Sequence, residues 1–311
     1  MNSGRTPPLA KIAAMTSNVT AVSYGLKLTP AELEQLRSLL TRNGATLEAE
    51  SRTGDSRYEV HTAELAMADT TAAGIAALRR AVAEAEADGP ETAIVPAGLR
   101  AAPRKLLIMD VDSTLIQQEV IELLAAYAGK REEVAAVTEA AMRGELDFAQ
   151  SLHARVLVLA GLPATVVDAV RAEVRLSEGA AELVAAFKAA GHVVGVVSGG
   201  FNQILQPIAE DLGLDYWIAN ELEIVDGALT GKVLGAVIDR AAKEKYLRKW
   251  AAGEGIPMEH TIAVGDGAND LDMLGAAGIG VAFNAKPAVR AVADSVVNMP
   301  YLDAVRHIAG V

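Results

Sequence analysis

A chain of 311 residues exceeds the usual size of one compact domain, so two domains are expected. A formal net charge of -12, with the acids spread along the chain, argues against a long nucleic-acid backbone as partner, yet allows a small anion held by local cations or a metal. The absence of cysteine excludes a disulfide framework, a zinc thiolate site and a thiol nucleophile, which fits the cytoplasm, and no run of about 18 apolar residues marks a membrane span.

The first residues, MNSGRTPPLAKIAAM, lack the apolar core and cleavage pattern of a secretory signal and read as a loose terminus. Strand-like runs follow at Val19 to Leu28, Ala45 to Glu50, Arg57 to Thr62 and Thr92 to Val95. Thr29, with Pro30 at the first helical position and Glu32 three residues on, opens a helix that Asn43-Gly44 closes. A second helix, roughly Thr70 to Asp88, ends at Gly89-Pro90. The order βαββαβ over 16–97 is that of a small α+β sandwich, and Pro96 to Lys105 reads as a linker to a second domain over 105–311.

Beyond the linker the texture changes. Leu106 to Met109, Val193 to Val197, Thr261 to Val264 and Ile279 to Phe283 are short apolar runs separated by helical patterns, which indicates an α/β fold with a doubly wound parallel sheet. The mostly helical stretch at about 117–178 is too long for one crossover helix and reads as an inserted helical cap.

In open α/β sheets ligands sit at the carboxyl ends of the strands. There the runs deliver Asp110-Val111-Asp112-Ser113-Thr114, Ser198-Gly199-Gly200 and Gly265-Asp266-Gly267-Ala268-Asn269-Asp270. Acids crowded on one sheet end would repel one another, so a divalent cation is expected, and an all-oxygen donor set suits magnesium. Ser198, the amides around Gly199 and Gly200, and a lysine from Arg240 to Lys245, with Lys243 as candidate, could cradle phosphate oxygens. If a turn follows the first strand directly, Asp110 and Asp112 can face one substrate, Asp110 as nucleophile and Asp112 as acid and base.

From Lys105 to Tyr301 the ordered set DVDSTL, SGG, a lysine and GDGANDLDM resembles the haloacid dehalogenase-like phosphatases. More narrowly, Glu119 nine residues after Asp110, together with Met142, Phe148 and Arg155 in EAAMRGELDFAQSLHARV, resembles the cap of the phosphoserine phosphatases. The resemblance implies hydrolysis of O-phospho-L-serine, the last step of serine synthesis, through an aspartyl-phosphate. It implies Asp110, Asp266 and the main-chain oxygen of Asp112 as magnesium ligands, and Ser198, Gly199, Lys243 and Asn269 at the phosphate. Asp270 is implied as the acid that orients Lys243 or metal-bound water. Glu119 would meet the substrate ammonium and Arg155 its carboxylate, a pairing that suits a zwitterion, with Met142 and Phe148 as apolar walls. The N-terminal element order is similar to ACT-type regulatory domains, which implies an amino-acid effector and a homodimer formed through that domain. Transfer of the phosphoryl group to an alcohol such as homoserine, and an amino-acid sensor with a vestigial catalytic half, stand as alternatives. The five histidines show no metal-ligand spacing and are expected to be structural or surface residues.

Overall fold

The computed structural model describes residues 18–85, 90–143, 145 and 147–311. The N-terminal module runs β1 (Val19–Gly25), α1 (Pro30–Arg42), β2 (Ala45–Gly54), β3 (Glu59–Met67), α2 (Ala72–Ala85) and β4 (Glu91–Pro96). Its strands form an antiparallel sheet in the order β2-β3-β1-β4. The expected βαββαβ order is present, with β2 and β3 longer than expected and β1 ending at Gly25 rather than Leu28. Thr29 caps α1: its side chain accepts from the Glu32 amide while the Glu32 carboxylate accepts from the Thr29 amide. The Gly89 half of the expected stop to α2 lies outside the described residues.

Period-two alternation gives this sheet two apolar faces. Val19, Ala21, Leu65 and Ile94 meet Leu36 and Leu40 of α1 and Leu78 and Val82 of α2. Val22, Tyr24, Val60, Ala93 and Val95 belong instead to the core of the larger module. Polar anchors fix that docking: the Tyr24 hydroxyl bonds Ser295 Oγ at 2.8 Å and Val296 O at 2.7 Å, and Arg57 and Tyr58 reach the buried Asp303 at 2.7 and 2.8 Å.

The stretch read as a linker is not one. It contains α3 (Ala97–Ala101), with Leu99 buried, Arg100 bonded to the carbonyls of His307 and Ile308, and Lys105 buried with its ammonium on Ala102 O. Its prolines bracket one helical turn whose single leucine fills the core, so the modules pack directly on each other.

The larger module holds a seven-stranded sheet, β11-β10-β9-β5-β6-β7-β8. Its strands are β5 (Leu106–Met109), β6 (Val193–Phe201), β7 (Tyr216–Val225), β8 (Ala228–Leu234), β9 (Thr261–Gly265), β10 (Ile279–Phe283) and β11 (Ser295–Val297). All neighbours pair in parallel except β7 with β8. β7, β8 and β11 were not anticipated from sequence. Helices α4 (Val120–Tyr127), α5 (Arg131–Met142), α6 (Phe148–Leu157) and α7 (Thr165–Glu173) form the cap. Helices α8 (Ala180–Ala189), α9 (Asn202–Leu212), α10 (Arg240–Gly253), α11 (Leu271–Ala276), α12 (Pro287–Arg290) and α13 (Ala304–Ala309) complete the core module.

Every residue of β5 is buried, as befits a central strand covered on both faces. The chain leaves β5 for β6 on one side and later returns to β9 on the other, so a crevice opens at the carboxyl end of β5. The cap leaves and rejoins the core side by side: Gln117 N donates to Arg175 O and Ser177 N to Leu115 O. Its far end rests on the β7–β8 hairpin, where Gly161 N and Leu229 N bond across to Leu229 O and Leu162 O.

Candidate active site

Asp110 leaves β5 with its amide on Val264 O at 2.9 Å, so both of its neighbouring segments fix its position. A tight turn, Val111–Leu115, follows at once and places Ser113 at φ +56. That left-handed residue reverses the chain, and the Ser113 hydroxyl donates to Glu119 Oε1 at 2.6 Å. The turn brings Val120 back onto Asp112, whose Oδ1 accepts from Val120 N at 3.0 Å and whose Oδ2 accepts from Ser198 Oγ at 3.3 Å. Both carboxylates line one small pocket, of about 40 Å³.

Ser198, Gly199 and Gly200 bulge from β6. The β6–β7 pairing passes from Val197 with Ile218 to Phe201 with Asn220, so these three residues oppose Ala219 alone. Buried Asn220 secures the bulge, donating to Gly199 O at 2.8 Å and accepting from Ile238 N at 2.8 Å. Glycine at both positions admits a close approach rather than a positive φ: a Cβ on Gly199 would lie 2.5 Å from Phe148 Cζ and one on Gly200 2.6 Å from Asp112 Oδ2, so either would displace a side chain of the site.

Lys243, wholly buried on α10, bridges two acids, with its ammonium 2.7 Å from Asp110 Oδ1 and 2.7 Å from Asp270 Oδ1. The other Asp270 oxygen accepts from the amides of Asp266 and Gly267 at 3.2 and 3.0 Å. Both Asp270 oxygens are therefore engaged, although one carboxylate oxygen each from Asp110, Asp266 and Asp270 lie within 4.8 Å of one another. Burial first, then the charge of Asp270, pushes the Asp110 carboxyl well above the usual carboxylate range, with Lys243 opposing. Burial also raises Asp266, helped by Asp110 and Asp270. For Lys243 burial works against the charge, but Asp110 and Asp270 outweigh it and hold the ammonium above the ordinary lysine range. Asp112 is pushed up to about 7 by burial and by the charge of Glu119, a value suited to giving and taking a proton near neutrality.

The cap closes the pocket from above. Glu119, Phe148 and Arg155 all line it, with Ile121, Ala141 and Leu152 as further apolar wall. Arg155 is buried on α6, its Nε donating to Ser151 O at 3.1 Å and its Nη1 to Thr138 Oγ1 at 2.9 Å. Burial lowers its pKa, while Glu119, Asp112 and Glu122 counteract. Burial likewise raises Glu119, against Ser113 and Arg155. Asn269 lines the pocket and its Oδ1 is buried without a partner among the described residues. Met142 ends α5, and its side chain lies outside what the structure describes.

Thus Asp110, Asp112, Glu119, Phe148, Arg155, Gly199 and Asn269 border one cavity, with Ser198, Lys243, Asp266 and Asp270 held against its floor. Sequence reasoning missed Asn220, Thr138 and Ser113. A lone asparagine in the apolar run Tyr-Trp-Ile-Ala-Asn was the one available signal for the first; the other two depend on contacts across elements.

A haloacid dehalogenase-like hydrolase model matches residues 107–275. A phosphoserine phosphatase of Streptomyces coelicolor is 53% identical over 288 residues, 92% of this chain and 69% of that protein. The phosphoserine phosphatase SerB2 of Mycobacterium tuberculosis is 55% identical over 235 residues, 76% of this chain, and the chain thus spans 57% of that relative's length. The chain belongs to the haloacid dehalogenase-like hydrolases, and within them to the phosphoserine phosphatases. A solved structure of a phospho-aspartyl intermediate analogue of phosphoserine phosphatase is 45% identical, covers 66% of this chain and 98% of its own, and superposes with a TM-score of 0.64. Phosphatases of this family generally use a divalent metal, and the buried acids around Lys243 form an oxygen-rich cluster able to hold one.

Proposed function

We propose that this chain hydrolyses O-phospho-L-serine to L-serine and phosphate through an aspartyl-phosphate on Asp110. The observation that carries the reading is the pairing, in one pocket with Asp110 and Asp112, of an anion, Glu119, and a buried guanidinium, Arg155. A zwitterionic amino acid needs both charges, and a sugar phosphate needs neither.

In the first half-reaction an Asp110 oxygen forms a bond to phosphorus as the bond to the serine oxygen breaks, and Asp112 gives its proton to that oxygen. In the second, Asp112 takes a proton from water, the water oxygen bonds to phosphorus, and the bond to Asp110 breaks to release phosphate. Lys243 offsets charge beside Asp110 throughout, while Ser198 and the amides of Gly199 and Gly200 orient the phosphate oxygens. The donors fit a hard divalent cation: the acids outnumber Lys243, and Asp110 and Asp266 keep oxygens not bound to it. Asp110, Asp266 and the main-chain oxygen of Asp112 would hold magnesium, which when bound neutralises phosphate charge.

The N-terminal module is proposed as an ACT-like regulatory unit taking an amino-acid effector and supporting a homodimer, with the enzyme working in the cytoplasm. Among the described residues no helix is long and apolar enough to cross a membrane. The activity is tested by phosphate release from a panel of phosphomonoesters with magnesium, in the presence and absence of homoserine. Strong preference for phosphoserine, with serine and phosphate formed in equal amounts, is expected. Equal rates on sugar phosphates, or phosphohomoserine as product, would refute it.

A further inference from the structure

A second opening, of about 580 Å³, lies where the two modules meet. One wall is α2, which contributes Arg79 and Arg80; the other is α12 and the approach to β11, which contribute Arg290 and Asp294. Between the cations the walls mix small apolar residues, Ala76, Ala83, Ala291 and Ala293 among them, with the polar Thr92, Ser295 and Asn298.

The charges are unevenly matched. Asp294 is already committed, with one oxygen on Arg79 and the other accepting from Gly280 N at 2.9 Å. Arg79 also donates from Nε to Ile94 O at 3.1 Å, and its Nη2 is buried with no partner among the described residues, so this side chain is held in the wall rather than free to move. A buried guanidinium nitrogen left without an acceptor is costly. Arg80 and Arg290 are exposed and, among the described residues, have no carboxylate within ion-pair distance. Glu91, outside the lining, lies near enough to Arg290 to feel its charge, and its Oε2 accepts from Asn298 N at 2.9 Å. Among the described residues, three arginines therefore line one cavity with a single, already paired carboxylate beside them.

We infer that this inter-module cavity is a binding site for a phosphate group, free or at the end of a small metabolite, gripped by Arg80 and Arg290 from opposite walls, with Arg79 adding its charge from beneath. Guanidinium forks match tetrahedral oxyanions bidentately, and a multivalent anion offsets the excess positive charge. Because the walls belong to different modules, an occupant braces them against each other.

The test is calorimetric titration of the full chain in magnesium-free buffer, first with inorganic phosphate and separately with ribose 5-phosphate, which tells a free from an ester phosphate. The wild-type chain is compared with Arg80→Ala/Arg290→Ala; Arg79 is spared because it also holds Asp294 and Ile94. With at least one probe the double variant is expected to bind about tenfold or more weakly. Its kcat/KM for phosphoserine with magnesium stays unchanged, which shows that the fold is intact. Equal affinity in both proteins, or no binding of either probe at millimolar concentration, overturns the site.

Discussion

Replacing Arg155 with alanine gives the sharpest test of the substrate. Two of its donors are spent within the cap, on Ser151 O and Thr138 Oγ1, so the guanidinium is already positioned, and its remaining Nη hydrogens are available to a carboxylate. Preorganisation in a buried setting places such a charge-assisted pair at about 2 to 4 kcal/mol. At about 1.4 kcal/mol per decade, Arg155→Ala loses roughly thirtyfold to thousandfold in kcat/KM for phosphoserine. An aryl phosphate carries no carboxylate, so its hydrolysis by the same variant should change little. Steady-state kinetics with both substrates on one preparation is the assay. Equal losses would mean that Arg155 serves cap closure or the phosphate, since it ties α6 to α5 through Thr138; no loss with either would leave it a structural cation. Only a selective loss agrees with the argument.

The other expectations concern the floor and the packing. Asp110→Asn should cut turnover by about three orders of magnitude or more with native circular dichroism retained, and residual activity near a tenth would rule out the covalent route. Lys243→Met leaves Asp110 and Asp270 buried without their cation, a loss of about 3 to 5 kcal/mol; an unshifted urea midpoint in metal-free buffer would contradict this. His192 is buried beside Lys105, whose ammonium lies 3.3 Å from its Nε2, and burial, then that charge, lowers its pKa to about 4. The unfolded chain takes up that proton first, so the stability from neutral His192 is whole above about pH 6.5 and is lost as pH falls toward 4. His192→Gln should flatten the acid limb of a urea-midpoint profile in that window, and an unaltered slope would count against it.

Local patterns carried much of this protein. The apolar runs that became β5, β6, β9 and β10 were legible because a buried parallel strand must be apolar on both faces, and the residues just after them had to stand at the sheet's ligand-binding end. The capping box of α1 was readable for a similar reason, since its partners lie within one turn. β7, β8 and β11 escaped because edge and hairpin strands alternate or are short, and their pairing is decided by what lies alongside them. The supposed linker shows the same limit: proline and glycine content reads as loop, but Leu99 and Lys105 are buried because another module happens to sit there. Residue type and order alone determined which groups could act as nucleophile, acid, cation and phosphate cradle. Tertiary structure decided how they meet: the positive φ of Ser113 in the turn that brings the Val120 amide onto Asp112, the Asn220 that holds the glycine bulge, and the Thr138 that aims Arg155. Each depends on a contact between elements far apart in the chain or on a backbone turn closed by one, and a linear pattern of residue types does not encode such distances.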